Sequence, residues 1–517
     1  MPTGLQSRPG LRGRLRLLTA CFLGAATGLV AMASLEAIVV PIQNEFVLSV
    51  DDIATLVLTV AAGSLLILFA AGALVDRLGP RRIFTAGAVI SVVGAATVGL
   101  AADYGWLVAG RIIGGAGGTV LSVASLAIVN ATFSDDRERA HVFGLFAAVV
   151  GAAFVVSPLV AGVIAESLGW RWVPLAWMAV AATAVLCLRS CPVPAGVGDG
   201  RGELVLPLAA GAMLSAVCVA ALVVRGGVGW SLLSLAVAAI ALALLMVRWR
   251  TLRAAGTTPA FDVSMFAVPG AKPLMGAMFV VAMVNLLFYA NLFVQYRLGF
   301  TPVESARLFV IPQVAGVLGG VTGGWISARR GSLRTTAGAL ILGGAAAAVF
   351  VTVTEQTSAG YLTVLLCLFT FAAGSLVGTL TKAFLDCAQP QSSGAAASWR
   401  QAGWSLGSTV GGVATGTIVF TYFSATWQAT LRAEGLSGDA ARWAAEAVRS
   451  GMPLTQVVAD PGVTQLVGGS AIENLVGLTS AQVDTLRLVG LLAAGSYLVA
   501  LACVLVAMRR QTVGSDD

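Results

Sequence analysis

The sequence has 517 residues, of which 58% are hydrophobic and 11% carry a charge. Charged residues make up roughly a quarter of a soluble globular domain, so this composition excludes that class and indicates a polytopic membrane protein. The net charge of +7 reflects orientation in a membrane rather than a nucleic-acid partner, because the basic residues gather at the ends of apolar segments.

Apolar segments of about 20 residues have the length needed to cross a bilayer as helices. The sequence predicts fourteen of them, near residues 17–40, 53–75, 83–102, 106–130, 141–165, 172–190, 205–224, 228–247, 273–295, 305–327, 335–354, 360–381, 400–423 and 486–508. With the N-terminus in the cytoplasm, most of the 31 Lys and Arg residues fall at inner ends, as the positive-inside rule requires. We therefore expect a multi-pass protein of the cytoplasmic membrane with both termini cytoplasmic.

The predicted spans group into two larger units with linkers between them. In chain order the units are a cytoplasmic leader (1–16), a six-span half (17–190), a cytoplasmic linker (191–204), two inserted spans (205–247), a second cytoplasmic linker (248–272), a second six-span half (273–508) that includes an extracytoplasmic loop (424–485), and a cytoplasmic tail (509–517).

Glu36 is the only carboxylate that the prediction places inside a span. Burial penalises the ionised form of a carboxylate, so such a group can take up a proton from an acidic exterior and release it to the cytoplasm. Glu36 is therefore the candidate for proton coupling. The alternative is a carboxylate at a helix end, exposed at the outer interface.

The segment between spans 2 and 3 combines glycines, an aspartate and arginines. Glycine allows a sharp turn, and the arginines suit a cytoplasmic interface. The segment is predicted to be a hinge whose charges can be paired and released, although an ordinary basic loop would have a similar charge. The candidate gate residues are Gly72, Asp76, Arg77, Gly79, Arg81 and Arg82.

Spans 4 and 5 each carry an unusual feature. Arg111 lies within span 4, where an arginine costs about 3 kcal/mol on insertion scales. It should face the bundle interior and assist Glu36; the alternative is an arginine that extends to the membrane surface. Span 5 contains small residues and a proline, which favour close packing and a kink: Gly151, Ser157, Pro158 and Gly162.

The second half offers polar side chains but no carboxylate within its spans. In span 9, Asn285, Tyr289 and Tyr296 are spaced to lie on one helical face. With Gln295 and Gln313 they are candidates to line a substrate cavity, and hydrogen bonds between helices explain them equally well. The 424–485 loop is predicted to be a lid, a docking surface for an unknown partner, or an inert insertion.

Taken together, these motifs resemble the major facilitator superfamily, and in particular its fourteen-span drug:proton antiporter branch. The segment from Gly72 to Arg82 is similar to the family signature between spans 2 and 3, and Gly151 to Gly162 is similar to the antiporter motif. The resemblance implies an all-α fold with two six-helix halves and two inserted central spans. It also implies a gating role for the first motif.

The sequence contains no G-x-x-x-x-G-K-[ST] phosphate loop, so ATP is not predicted as the energy source. A single histidine leaves no metal site to predict. We expect no enzyme activity and no cofactor, and a proton gradient that drives export of amphipathic drugs or antibiotics by alternating access. Its partners would be the lipid bilayer, protons and the small substrate. The alternatives are export of an endogenous lipid or secondary metabolite, and a non-transporting receptor or scaffold that uses the 424–485 loop.

Overall fold

The computed structural model describes residues 11–132, 136–189, 191, 204–222, 228–254, 264–387, 393–433 and 476–513, which form a helical bundle. The first half contains α1 (Leu11–Phe46), α2 (Val50–Leu78), α3 (Pro80–Gly99), α4 (Tyr104–Thr132), α5 (Asp136–Ser167) and α6 (Val173–Arg189). Two inserted helices follow, α7 (Val205–Leu222) and α8 (Val228–Ala254). The second half contains α9 (Ala271–Ala282), α10 (Leu286–Arg297), α11 (Pro302–Arg330), α12 (Ser332–Ala348), α13 (Ala359–Leu385), α14 (Ser393–Ala433) and α15 (Val476–Val513).

Helices are found at all fourteen predicted positions. Within the described chain, 13 segments are long and apolar enough to cross a membrane, and α5 contributes a shorter apolar stretch, Ala152–Ser167. The helices that flank the predicted 424–485 loop extend into it, because α14 ends at Ala433 and α15 begins at Val476. Residues 434–475 lie outside the described chain, so the predicted roles of this loop remain predictions.

Span 9 differs from the prediction, because it is two helices and not one. Its inner part, α9, ends at Ala282 and its outer part, α10, begins at Leu286. The side chain of Asn285 caps α10 by accepting a hydrogen bond from the Phe288 amide at 3.2 Å. An asparagine that bonds to the backbone in this way competes with continuous helix. The break lies before Asn285, so Asn285 caps the helix that contains Tyr289 and Tyr296. The prediction that these three residues share one helical face stays a prediction, because the side chain of Tyr296 is not described.

Each half has its own apolar core. In the first half, buried side chains around Phe84 fill the inner part and side chains around Ile38 fill the outer part, where inner and outer follow the predicted orientation. In the second half the core includes Phe350, Phe384 and Tyr497. The outer core of the first half also contains Phe288 and Leu292 of α10, so the two halves share apolar contacts at the outer side.

Glycines on α14 bring it very close to α9. A Cβ built on Gly407 would lie 2.2 Å from the carbonyl oxygen of Phe279, and one built on Gly411 would lie 2.4 Å from the Cα of Met283. Small residues at a four-residue spacing are a usual means of close helix contact in membranes. The inner part of span 9 is therefore held firmly against its own half.

The inserted helices lie beside the first half. A Cβ on Gly211 of α7 would lie 2.2 Å from the Leu66 carbonyl oxygen of α2, so these two backbones are in direct contact. Helix α8 packs on α7 and exposes a row of large apolar side chains, including Trp230 and Ile240. Such a surface suits contact with lipid.

Helices α2 and α11 have matching ends. Each has 29 residues and begins with a capping box, formed by Ser49 with Asp52 in α2 and by Thr301 with Glu304 in α11. Each is followed by a glycine with φ of 87°, Gly79 or Gly331. Arginines stand in the last turn of both helices, Arg77 in α2 and Arg329 and Arg330 in α11, so the two halves repeat the same helix with the same termini.

Candidate functional site

Glu36 lies where the two halves meet. It is half-buried on α1, between the fully buried Leu35 and Ile38. The Asn285 side chain from the second half lies near its carboxylate, and the charge of Arg111 acts on it from within the first half. The structure thus places Glu36 in a polar environment between the halves and not at the helix end.

Arg111 is 3% exposed and lies inside the first half, so it does not extend to the membrane surface. Its terminal nitrogens donate hydrogen bonds to main-chain oxygens on two neighbouring helices, to Ala31 at 3.2 Å and to Val57 at 3.4 Å. Arg111 makes none of the ion pairs found among the described residues. It therefore influences Glu36 through its charge and not by direct contact.

Asn285 stands at the break in the middle of span 9 and is exposed. The first turn of α10 begins there, and the amide end of a helix carries partial positive charge. The break therefore places a capped helix N-terminus at the point where Asn285 lies near Glu36. Discontinuous helices of this kind build the ion and substrate sites of many transporters.

Two further polar residues join this site, and the sequence analysis did not select them. Asn291 is 8% exposed, and its amide donates a hydrogen bond to the main-chain oxygen of Glu36 at 2.8 Å. Ser305 on α11 donates to the Asn291 side-chain oxygen at 2.5 Å. The available signal was an asparagine within a run of apolar residues, which a buried hydrogen bond commonly explains.

The other candidates for the substrate cavity are spread along the span. Tyr289 packs edge-on against Phe288, with ring centres 5.3 Å apart, and its hydroxyl reaches toward Gly416 of α14. Gln295 is buried, ten residues beyond Asn285, which is about 15 Å along a helix. The side chain of Tyr296 is not described.

On α11, Gln313 is half-buried beside Pro312, whose carbonyl oxygen accepts a hydrogen bond from Thr370. Of the five candidates in the second half, Asn285 is the one that influences the pKa of Glu36.

The antiporter-like segment of α5 forms a contact between the halves. A Cβ on Gly162 would lie 3.1 Å from both the Pro302 oxygen and the Val303 Cα of α11. One turn further on, Glu166 accepts a hydrogen bond from the Val303 amide at 3.0 Å. Ser157 is buried and bonds to its own helix, Pro158 lies within α5, and Gly151 belongs to the same helix. Small residues here thus allow α5 to meet α11.

The gate motif forms the turn between α2 and α3. Gly79 has φ of 87° and ψ of 145°, and Pro80 follows as the first residue of α3. Arg77 and Arg82 are exposed, and Arg81 donates to the last carbonyl of α6, that of Arg189, at 3.0 Å. Asp76 is in the last turn of α2, but its side chain is not described.

No atom would contact a Cβ on Gly72 within 4 Å, so contact between helices does not explain this glycine. The gating role of the motif remains a prediction.

Comparisons with known proteins agree with this architecture. A family model described as Major Facilitator Superfamily matches residues 17–209 and 202–412. The methylenomycin A resistance protein of Streptomyces coelicolor is 27% identical over 409 residues, which are 76% of this chain and 84% of that protein. The multidrug resistance protein Stp of Mycobacterium tuberculosis is 26% identical over 427 residues, which are 78% of this chain and 76% of the relative.

Among solved structures, a bacterial homologue of the human lysosomal transporter Spinster, inward-facing and occupied, superposes with a TM-score of 0.60. It is 18% identical in sequence, and the match covers 97% of this chain and 98% of that one. At this identity the likeness establishes the fold alone.

Proposed function

The chain belongs to the Major Facilitator Superfamily, and from that premise we propose that it exports amphipathic drugs or antibiotics in exchange for protons by alternating access. Membership of the family makes it a multi-pass membrane transporter of small substrates and not an enzyme. The names of its relatives, for resistance to methylenomycin A and to multiple drugs, support the drug-export part of the proposal.

The observation that carries the proton-coupling part is the position of Glu36 between the halves. A carboxylate there is in reach of both bodies, with Arg111 on one side and Asn285 on the other. When Glu36 is ionised, it attracts a cationic or polar group of a substrate and interacts with Arg111. When Glu36 is protonated, it loses both interactions. Protonation from outside therefore releases the substrate, and deprotonation inside prepares the next cycle.

The contacts between the halves supply the alternating-access part. Asn291 bonds to the main chain of Glu36, and Glu166 caps the start of α11. Both contacts link the halves toward the predicted outer side, so both must change when the site opens to the exterior. At the inner side, the turn with Asp76 and its arginines is the proposed gate. The energy source is the proton gradient, and no cofactor takes part.

Efflux of a fluorescent lipophilic cation such as ethidium from energised cells tests the proposal. We expect the wild type to transport the dye, a protonophore to abolish transport, and Glu36→Gln to abolish it as well. Glu355→Gln, which alters an exposed carboxylate between α12 and α13, is the matched control and should behave as the wild type. Transport that survives in Glu36→Gln with unchanged protonophore sensitivity would show that Glu36 is not the coupling group.

A further inference from the structure

A small cavity lies inside the first half, beside Arg111 and between α1, α2, α3, α4 and α6. Its volume is about 30 Å³, and about 10–15 Å³ measured in this way is enough for one water molecule. The cavity therefore has room for water or a small ion. Glu36 is not among the residues that line it.

Three of the residues that line this cavity carry a polar atom without a hydrogen-bond partner. The atoms are Ser91 Oγ, Arg111 Nε and Trp177 Nε1, and their residues are 7%, 3% and 4% exposed. Buried polar groups normally have a partner. The guanidinium and indole nitrogens can only donate, and the serine hydroxyl can donate as well, so the set as a whole calls for an acceptor.

The charge of the residues that line the cavity also favours an anionic ligand. The lining contains Arg111 but no Asp or Glu, and the bonds that Arg111 does make go to neutral main-chain oxygens. A buried charge is unfavourable unless an opposite charge accompanies it. Glu36 acts on this charge only from beyond the distance of an ion pair.

We propose that the cavity is a binding site for one monatomic anion of the halide class, with chloride as the natural ligand. The anion accepts hydrogen bonds from Arg111 Nε, Trp177 Nε1 and Ser91 Oγ and neutralises the arginine. A water molecule would meet the need for an acceptor but would leave the charge uncompensated. Gluconate is a much larger anion than chloride and serves as the comparison ion.

Thermal unfolding of the purified full-length protein tests the site without reference to transport. A ligand that binds only the folded protein raises the melting temperature. We expect a higher Tm in chloride or bromide than in gluconate at equal ionic strength and pH. Ser91→Ala and Trp177→Phe should lose this difference, while Trp172→Phe, which alters an exposed indole, should keep it.

Crystals grown in bromide locate the ion. We expect anomalous scattering from bromide in this cavity, within hydrogen-bond distance of Arg111 Nε and Trp177 Nε1. Equal Tm values in all salts, a salt effect that persists in both cavity variants, or a cavity that holds only water in bromide would overturn the proposal. If both variants fail to fold, the bromide crystal of the wild type decides.

Discussion

At the scale of single residues, Asn291 has the most consequential contacts, because its side chain joins α1, α10 and α11. It donates to Glu36 of one half and accepts from Ser305 of the other. An amide can do both at once, whereas a carboxylate or a hydrocarbon side chain cannot. Asparagine therefore suits this position, because its amide has a donor and an acceptor.

Replacement of Asn291 by leucine should destabilise the protein by about 1–3 kcal/mol, because it leaves the Ser305 hydroxyl and a main-chain oxygen without their partner. Ser305→Ala should cost about 1 kcal/mol. The double variant should lose less stability than the sum of the two single losses, since each single change already breaks the shared bond. Unfolding of the four proteins in detergent measures this coupling, and strictly additive losses would contradict it.

Arg171 provides a second prediction at this scale. It donates to Glu45 and to the main-chain oxygens of Gly99 at 3.2 Å and Ala101 at 2.8 Å, and its guanidinium lies 4.8 Å from the Trp170 ring. Lysine offers a single point charge and cannot reproduce this fork.

We expect Arg171→Lys to cost about 1–2 kcal/mol in thermal or denaturant unfolding. Arg297→Lys is the control, because Arg297 makes one long bond to the Glu355 oxygen at 3.4 Å. Equal losses in the two variants would show that charge alone matters at Arg171.

At the scale of helices, the contact of α5 with α11 depends on Gly162. A methyl group there must displace the backbone of Pro302 and Val303, which has little freedom to move in a packed interior. Gly162→Ala should therefore weaken this contact and increase the population in which the outer ends are apart.

Spin-label distances between the outer ends of α5 and α11 measure that population. Gly338→Ala is the control, because a Cβ at Gly338 meets nothing within 4 Å. An unchanged distance distribution in Gly162→Ala would mean that α5 and α11 are held together by other contacts.

The turns at the ends of α2 and α11 give a prediction about the repeat. Gly79 and Gly331 share φ of 87°, with ψ of 145° and 152°, a conformation that costs other residues about 1–3 kcal/mol. Gly79→Ala and Gly331→Ala should therefore lose similar stability, as measured by their unfolding midpoints. A loss in only one of them would show that the matching geometry does not reflect matching strain.

At the scale of the whole molecule, orientation follows from charge. The arginines of the gate turn and of the C-terminal segment should lie on the cytoplasmic side. Alkaline phosphatase inserted near residue 450 should be active, and green fluorescent protein at the C-terminus should fluoresce. The control exchanges the two reporters, with green fluorescent protein near residue 450 and alkaline phosphatase at the C-terminus, and both should then be inactive. The reverse pattern would invert the assigned inside and outside.

The helices were predictable because each span is a long apolar run, and such a run indicates a membrane helix without any knowledge of the helices around it. The turn at Gly79 was also predictable, since its residue types suit only a few backbone conformations. The break before Leu286 was not, because the residues around it are compatible with helix and only contacts in the folded protein favour the capped form. The bond of Asn291 to Glu36 spans 255 positions in the chain, a distance over which one sequence carries no pairing signal.

The break in span 9 has a consequence for the way the outer side opens. Its inner part is fixed to α14 of its own half, whereas its outer part packs in the core of the second half and is also bonded to α1 of the other half. If α10 follows α1 by bending at residues 283–285, the site reaches the exterior through the movement of one short helix. Most of the apolar surface between the two halves then stays buried, and each transport cycle needs less free energy than full separation of the halves would require.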